Sequence, residues 1–437
     1  MSAHDARAFR FRRLLTAVAQ TVWFRLLVAA VLLAWHLATV LSFAEERFDA
    51  PFNRAPDSPP VFSQPAVEWV TVNWDRLVVS RWDSAHYISL LLRGYSQCPP
   101  SDLRDASPGF LHCNFNFYPG YPALTWVINH ALRMPADYAL LTVSLVASFL
   151  FLFLWTDRMM VRSLGVGTTY ASLLAFNAFP TAFTLVTVQT EPCALLFTLA
   201  AFLALARRRW LLGAIFAGAA SAMRLNAAAT SVAMALAIGV ELWQRPPKRW
   251  PGFVVPAISM VVSGWGALAI MGYHWLRYHD PLLYVHAHAE TYGHTVSLLA
   301  VFDPKPEWLL RSIDHPLHEG VICLLAIIWF LLGRKAAMSG FTTSERVFWY
   351  TLAAVSVGVT VTGSISIALA GMNRYLLLVL PLFFAMGAVL KRRRLLFAVW
   401  LLASFWLYRQ ADLCDYIGGV GDGRLSICHV GHWAGRW

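Results

Sequence analysis

Two carboxylates and two guanidinium groups are the side chains of this sequence best equipped for chemistry. Asp83 and Glu191 can each accept a proton from an attacking group. Arg224 and Arg374 carry planar charged forks that match phosphate oxygens, and an Arg within apolar sequence is costly and often functional. Structural roles are the alternatives: either acid can cap a helix, and either Arg can extend to a membrane interface.

The composition identifies the environment in which these residues must work. The chain has 437 residues, of which 58% are hydrophobic and 14% charged, and its mean hydropathy is +0.54. Soluble domains are roughly 45–50% apolar and about 25% charged. The sequence therefore predicts an all-α polytopic membrane protein. The net charge of +11 fits Lys and Arg in cytoplasmic loops, so we expect membrane lipid, and no nucleic acid, as a partner.

Apolar runs predict eleven transmembrane helices in a single domain that covers residues 1–437. The basic clusters all fall on one side if the N-terminus is cytoplasmic, as the positive-inside rule requires. The first run is followed by no cleavage site, so we expect a retained helix rather than a signal peptide. The predicted spans lie near 23–43, 137–155, 168–188, 192–206, 210–223, 226–243, 250–273, 317–333, 347–370, 375–390 and 395–408.

The unusual polar residues then fall on the extracytoplasmic side. That side receives a first loop at 45–134, a second loop at 274–316 and a tail at 409–437. A connection as long as the first loop is usually functional. Cys98 with Cys113, and Cys414 with Cys428, could form two local disulfides there or remain four free thiols.

The first loop contains a short predicted helix directly after one of the candidate acids. Asp83 is placed to cap a helix from about Ser84 to Gly94. Trp82, Tyr87, Ile88 and Leu91 could lie on one face of this segment and turn toward lipid.

Several islands of sequence resemble the PIG-V-type mannosyltransferases, which include the GPI mannosyltransferase 2-like enzymes and belong to the GT-C class. The most specific island runs from Arg81-Trp82-Asp83 to Arg93-Gly94-Tyr95 and is followed by Phe117-Tyr118-Pro119-Gly120-Tyr121-Pro122. Shorter islands are Gln189-Thr190-Glu191-Pro192, Ser221-Ala222-Met223-Arg224-Leu225-Asn226, and Asn373-Arg374-Tyr375 with Pro381. Ser84 and Pro192 depart from the residues that are common in the family.

The resemblance implies a GT-C fold and an inverting transfer of a hexose, with mannose expected. The donor would be a polyprenyl-phosphate sugar, and the acceptor an extracytoplasmic lipid, glycan or protein. A bacterial relative would act at the outer face of the plasma membrane. Asp83 would be the base, and Glu191 would share the acid–base work or bind acceptor hydroxyls. Arg224 and Arg374 would hold the donor phosphate, with Arg81, Trp82 and His86 in the substrate-binding set.

Four further residues are candidates for substrate contacts. Asn226 can bond a sugar hydroxyl or cap a helix, and Tyr118 can offer a hydroxyl or a stacking surface. His286 and His288 can contact phosphate or sugar, or lie exposed at the interface. Together with Glu290, the two His residues also suggest a divalent metal, but no carboxylate partner follows at a recognised spacing, so no metal site and no certain cofactor are predicted.

Other classes of protein share parts of this pattern. A transporter or lipid flippase is the main alternative, although no internal repeat is evident. Other GT-C enzymes, such as protein O-mannosyltransferases or aminoarabinose transferases, commonly carry an Asp-Glu pair, whereas Asp83 is followed by Ser84. A non-catalytic subunit is the third alternative. Gly-rich nucleotide-binding loops are absent from the sequence, which favours a lipid-linked donor.

Overall fold

The protein is a helical assembly with one small β pairing among the described residues. The computed structural model describes residues 17–48, 83–95, 114–115, 117–247, 251–292, 295–296, 319–364 and 372–407. The helices are α1 (Val22–Phe48), α2 (Ser84–Arg93), α3 (Gly120–Leu132), α4 (Ala136–Trp155), α5 (Arg158–Leu164), α6 (Val166–Asn177), α7 (Glu191–Ala206), α8 (Trp210–Met223), α9 (Ala228–Gln244), α10 (Pro251–Val262), α11 (Trp265–Tyr278), α12 (Leu283–Tyr292), α13 (Glu319–Met338), α14 (Thr343–Thr362), α15 (Met372–Leu376), α16 (Leu380–Leu390) and α17 (Arg394–Leu407).

Two 3₁₀ segments and one antiparallel strand pair complete the described secondary structure. The 3₁₀ segments are Pro180–Val186 and Leu225–Ala227. Strand β1 (Thr295–Val296) pairs with β2 (Gly363–Ser364). The pairing joins the chain after α12 to the end of α14.

Several helices are long and apolar enough to cross a membrane. Within the described part of the chain these are Val22–Ser42, Ala136–Trp155 and Leu225–Gln244. The number rises to five if two bent helix pairs each count as one span. An α-helical membrane protein is therefore the class that the architecture supports, and the count of eleven spans stays a prediction.

Two of the predicted spans are bent in the structure. The span at 168–188 ends as an α-helix at Asn177 and turns by 87° into the segment Pro180–Val186, because Pro180 has no N–H to continue the helical ladder. The span at 250–273 bends by 53° between α10 and α11. Since α11 continues to Tyr278, the second loop begins later than the predicted residue 274.

Helices pack closely against one another at positions that carry glycine. A side chain at Gly120 in α3 would collide with the backbone of Ala222 in α8. A side chain at Gly266 in α11 would collide with Gly218 of the same helix α8. Small residues allow such close approach of membrane helices. The last turn of α8 is therefore held against both α3 and α11.

Charged residues gather at both ends of α7. At its C-terminal end Arg207 pairs with Asp157 at 2.6 Å, and nearby Arg208 pairs with Glu241 at 3.0 Å. Glu191 begins the helix at the opposite end, and sixteen residues of helix separate the two ends by about 24 Å. The basic side that the sequence predicts as cytoplasmic is thus remote from Glu191.

Candidate active site

Arg374 stands at the centre of a group of polar side chains drawn from distant parts of the sequence. Its Nη1 atom lies 2.5 Å from Oδ2 of Asp83. Its Nη2 atom donates to Glu191 Oε2 at 3.2 Å, its Nε atom contacts Glu191 Oε1, and Nη2 also contacts Gln189 Oε1. One guanidinium group therefore joins α15, the start of α2 and the start of α7.

A second guanidinium group reaches the same carboxylate. Arg224 Nη1 forms an ion pair with Glu191 Oε1. The guanidinium of Arg224 also lies over the ring of Tyr375, 5.1 Å from its centroid, at a distance that favours a cation–π contact. We call the set Asp83, Gln189, Glu191, Arg224 and Arg374 the Arg374 cluster. Its two acids and two guanidinium groups balance in formal charge.

Exposure separates the two carboxylates of the Arg374 cluster. The Glu191 side chain is completely buried, whereas that of Asp83 is 31% exposed. The Arg224 and Arg374 side chains are 13% and 10% exposed. Buried charges are tolerated when they are paired and hydrogen-bonded. Asp83 is consequently the acid of the cluster that a substrate can reach, and Glu191 is held inside as the counter-charge of both Arg residues.

Asp83 occupies the capping position of α2 but its side chain does not cap the helix. The alternative of a simple helix cap is therefore wrong: the carboxylate turns to Arg374 instead. The helix itself is confirmed, because α2 runs from Ser84 to Arg93 and stops at Gly94, whose φ of 72° favours glycine. The expected lipid-facing stripe is also wrong, since Tyr87, Ile88 and Leu91 are buried within the protein.

Three serine hydroxyls hold the segment that leads into Glu191. This segment, Pro180–Glu191, is entirely buried and only its first part is a 3₁₀ helix, so carbonyl groups that its backbone leaves unpaired need side-chain donors. Ser148 donates to Leu185 O at 2.6 Å, Ser84 to Val188 O at 2.9 Å and Ser144 to Gln189 O at 3.2 Å. The hydroxyl of Ser84, the residue after Asp83, is thereby bonded to the segment that leads into Glu191.

His86, which lies near Asp83, belongs to a group of packed aromatic rings. The His86 ring stacks on Phe117 with centroids 4.1 Å apart. Burial lowers the pKa of His86 to about 4, although the nearby Asp83 carboxylate acts in the opposite direction. His86 is therefore neutral near pH 7. Tyr118 contacts the ring of Tyr284 at a centroid distance of 4.7 Å.

The remaining predicted site residues have different positions. Asn226 is buried in the 3₁₀ turn directly after Arg224. His286 points outward with 58% of its side chain exposed, and its Nδ1 atom lies 2.7 Å from Asp280 Oδ2. His288 lies in α12, but its side chain is outside the described set.

Two predicted contacts and the four loop cysteines lie outside the described residues. Arg81 and Trp82 precede the first described residue of α2. The cysteines are Cys98, Cys113, Cys414 and Cys428. Among the side chains that the structure describes, no three His, Cys, Asp or Glu residues come close enough to hold a metal ion.

Sequence reasoning missed several members of the site. Gln189 and Tyr375 lie next to or two residues from predicted site residues, so their positions in the sequence could have indicated them as site residues. The sequence indicates Ser84 only as the start of a helix and as a departure from the residues common in the family that it resembles. Nothing in the sequence indicates Tyr284 as a site residue except its position in the predicted second loop.

Comparison of the chain with protein-family models, curated proteins and solved structures finds no match. The Arg374 cluster is therefore the feature of the molecule from which its chemistry can be inferred.

Proposed function

We propose that this protein is an integral-membrane glycosyltransferase of the GT-C type. It moves a hexose, with mannose expected, from a polyprenyl-phosphate donor to an extracytoplasmic lipid, glycan or protein acceptor with inversion. The observation that carries the proposal is the partly exposed carboxylate of Asp83 fixed by the buried guanidinium of Arg374. A reachable base beside fixed positive charge is what transfer of a sugar from a phosphate requires.

The reaction follows from the different exposures of the cluster members. An acceptor hydroxyl attacks the anomeric carbon, its proton passes to an Asp83 oxygen, and the bond from that carbon to the phosphate oxygen breaks. The phosphate leaves with the bonding electrons and needs a nearby cation. Negative charge at Asp83 also favours the positive character that develops on the sugar ring.

Arg224 is the better candidate for the departing phosphate. The fork of Arg374 is directed at Asp83, Gln189 and Glu191, and these contacts make it a positioning residue. Arg224 has one ion pair, with Glu191, and lies beside the ring of Tyr375. Glu191 is likewise a positioning residue, because its carboxylate is buried between the two Arg side chains.

The proposed topology has the N-terminus in the cytoplasm and the Arg374 cluster at the outer face of a bacterial plasma membrane, within an eleven-span GT-C fold. It is supported by the separation of charges along α7. The basic residues that follow Ala206 pair with Asp157 and Glu241, whereas Glu191 lies at the other end of the same helix.

A transporter or lipid flippase is the second candidate, and the broken helices favour it. The turn of 87° after α6 and the bend of 53° between α10 and α11 resemble interrupted helices that line transport sites. Purified protein in vesicles separates the two functions. The transferase consumes labelled polyprenyl-phosphate mannose when a membrane extract that contains the acceptor is added. A transporter moves the label between leaflets and leaves the donor intact, which would overturn the transferase.

A further inference from the structure

We infer that Tyr284 of α12, together with Tyr118, forms the wall of a pyranose-binding subsite above the Arg374 cluster. The inference rests on the proposed function for the source of the sugar, and it adds a residue that the sequence did not indicate. The ligand is a hexopyranose ring, carried either by the donor or by a glycan acceptor.

Helix α12 is held over the segment that carries Tyr118. Leu283 and Ala287 of α12 are buried against Phe115, and Phe115 also contacts the Tyr278 ring with centroids 4.9 Å apart. Tyr284 packs on Tyr118 with the two rings at 76° to each other. Phe115 and Tyr118 therefore hold the first five residues of α12.

The contacts of α12 distinguish its inward-facing side chains from its exposed ones. Leu283 and Ala287 are buried, and Tyr284, next to Leu283, packs on Tyr118 and is only partly exposed. His286 lies about 200° further around the helix from Tyr284, is 58% exposed and is bonded to Asp280. Among the described side chains of α12, Tyr284 is therefore the polar aromatic residue that contacts the protein interior.

The Tyr118 end of the wall is fixed beside the Arg374 cluster by backbone contact. Gly120 lies against the backbone of Ala222, so Tyr118 and Arg224 each stand two residues from one close approach of α3 to α8. The pKa of Tyr284 is raised well above its ordinary value, mainly by burial and also by its neighbours, while nearby Arg224 acts in the opposite direction. Burial raises the pKa of Tyr118 as well. Both hydroxyls therefore remain protonated and able to donate.

Two tyrosines in this arrangement suit a sugar better than they suit a phosphate or a lipid chain. The partly exposed ring of Tyr284, packed on the buried Tyr118, offers apolar surface to the C–H face of a pyranose, and a tyrosine hydroxyl can bond its hydroxyl groups. Neither brings a charge that would select an anion. The phosphate, which is the charged part of the donor, is bound by Arg224 instead.

Binding of hexyl β-mannopyranoside to the full-length protein in nanodiscs tests the inference without requiring turnover. We expect saturation-transfer NMR to show transfer to the ring protons with the native protein. Y284A should weaken binding at least tenfold, and Y284F, which keeps the ring, by about threefold. Y350F is the matched control, because Tyr350 of α14 contacts Phe330 of α13 and is not part of the Arg374 cluster. Native-like binding by Y284A, or no ring transfer with the native protein, overturns the inference.

Steady-state kinetics identify which sugar the wall holds. A KM increase in Y284F for the polyprenyl-phosphate donor assigns the donor hexose, and an increase for the acceptor assigns the acceptor glycan. Unchanged KM values for both substrates in Y284F and Y284A contradict the inference while the transferase stands. Conversely, Tyr284-dependent mannoside binding by a protein that transfers no sugar removes the proposed function and leaves the subsite.

Discussion

The Nη1 atom of Arg374 lies 2.5 Å from Oδ2 of Asp83, although 291 positions separate the two residues in sequence. The buried member of the pair is the cation, and the partly exposed member is the acid. An acid that a fixed cation orients and that a substrate can still reach is suited to take a proton. This asymmetry distinguishes Asp83 from Glu191, which the same Arg holds out of reach.

Asp83→Asn should abolish sugar transfer with little effect on folding. The amide keeps the shape of the carboxylate but cannot take the acceptor proton, and loss of a general base costs about 10²–10⁴ in rate. Because the Asp83 side chain is 31% exposed and Arg374 keeps its contacts with Glu191, we expect a smaller loss of stability than from a change at Glu191. The measurement is turnover per folded protein with labelled polyprenyl-phosphate mannose, beside a thermal unfolding curve.

Asp157→Asn is the matched control for this substitution. Asp157 also pairs with an Arg, at the other end of α7. We expect its amide variant to transfer sugar at the native rate once corrected for the folded fraction. Native turnover by Asp83→Asn would remove Asp83 from the role of base.

Glu191→Gln should destabilise the protein more than any other single change in the Arg374 cluster. The substitution leaves two buried guanidinium groups without their shared counter-charge, and breaking a buried pair costs about 3–5 kcal/mol. Glu241→Gln is the comparison, since Glu241 also serves two Arg side chains but is 15% exposed. Thermal unfolding in one detergent checks the order, and an equal loss in both variants would contradict the structural role of Glu191.

The sequence was informative about the members of the site and silent about their arrangement. Arg224 and Arg374 could be chosen because charge is expensive in apolar sequence, and Asp83 and Glu191 because they lie in sequence islands that resemble a known family. Arg374 contacts Asp83 because the fold brings α15 close to the start of α2. No local sequence pattern predicts that arrangement, so a role for Arg374 in orienting Asp83 could not be foreseen. The 87° turn after α6 was missed because hydropathy measures composition and not direction.

Arg224→Lys and Arg374→Lys should have different kinetic effects. Lys keeps the charge but loses the fork, and Arg374 uses its fork on three acceptors. We expect Arg374→Lys to lower kcat at least tenfold because Asp83 loses its orientation. Arg224→Lys should chiefly raise the donor KM, by about three- to tenfold. Equal KM and kcat effects in the two variants would argue against separate roles.

Ser84→Ala should slow catalysis through the position of Asp83. It removes the 2.9 Å bond to Val188 O and leaves a buried carbonyl short of a donor, at a cost of about 1–3 kcal/mol. Ser148→Ala is the matched control, because Ser148 makes the same kind of bond to Leu185 O in the same segment. Both variants should lose similar stability, and only Ser84→Ala should lower kcat, with both KM values unchanged. A parallel fall of kcat in both would reduce Ser84 to a packing role.

Acid should destabilise the native protein through His86. Burial lowers the pKa of His86 from an unfolded value near 6.5 to about 4, so unfolding takes up a proton between these values. Stability is then complete above about pH 6.5 and falls as the pH approaches 4, by at most about 3 kcal/mol from this residue. His86→Phe keeps a ring to stack on Phe117 and cannot be protonated. Unfolding temperatures between pH 7.5 and 4.5 should therefore fall less steeply in this variant than in the native protein, and parallel curves would show that His86 is not the group responsible.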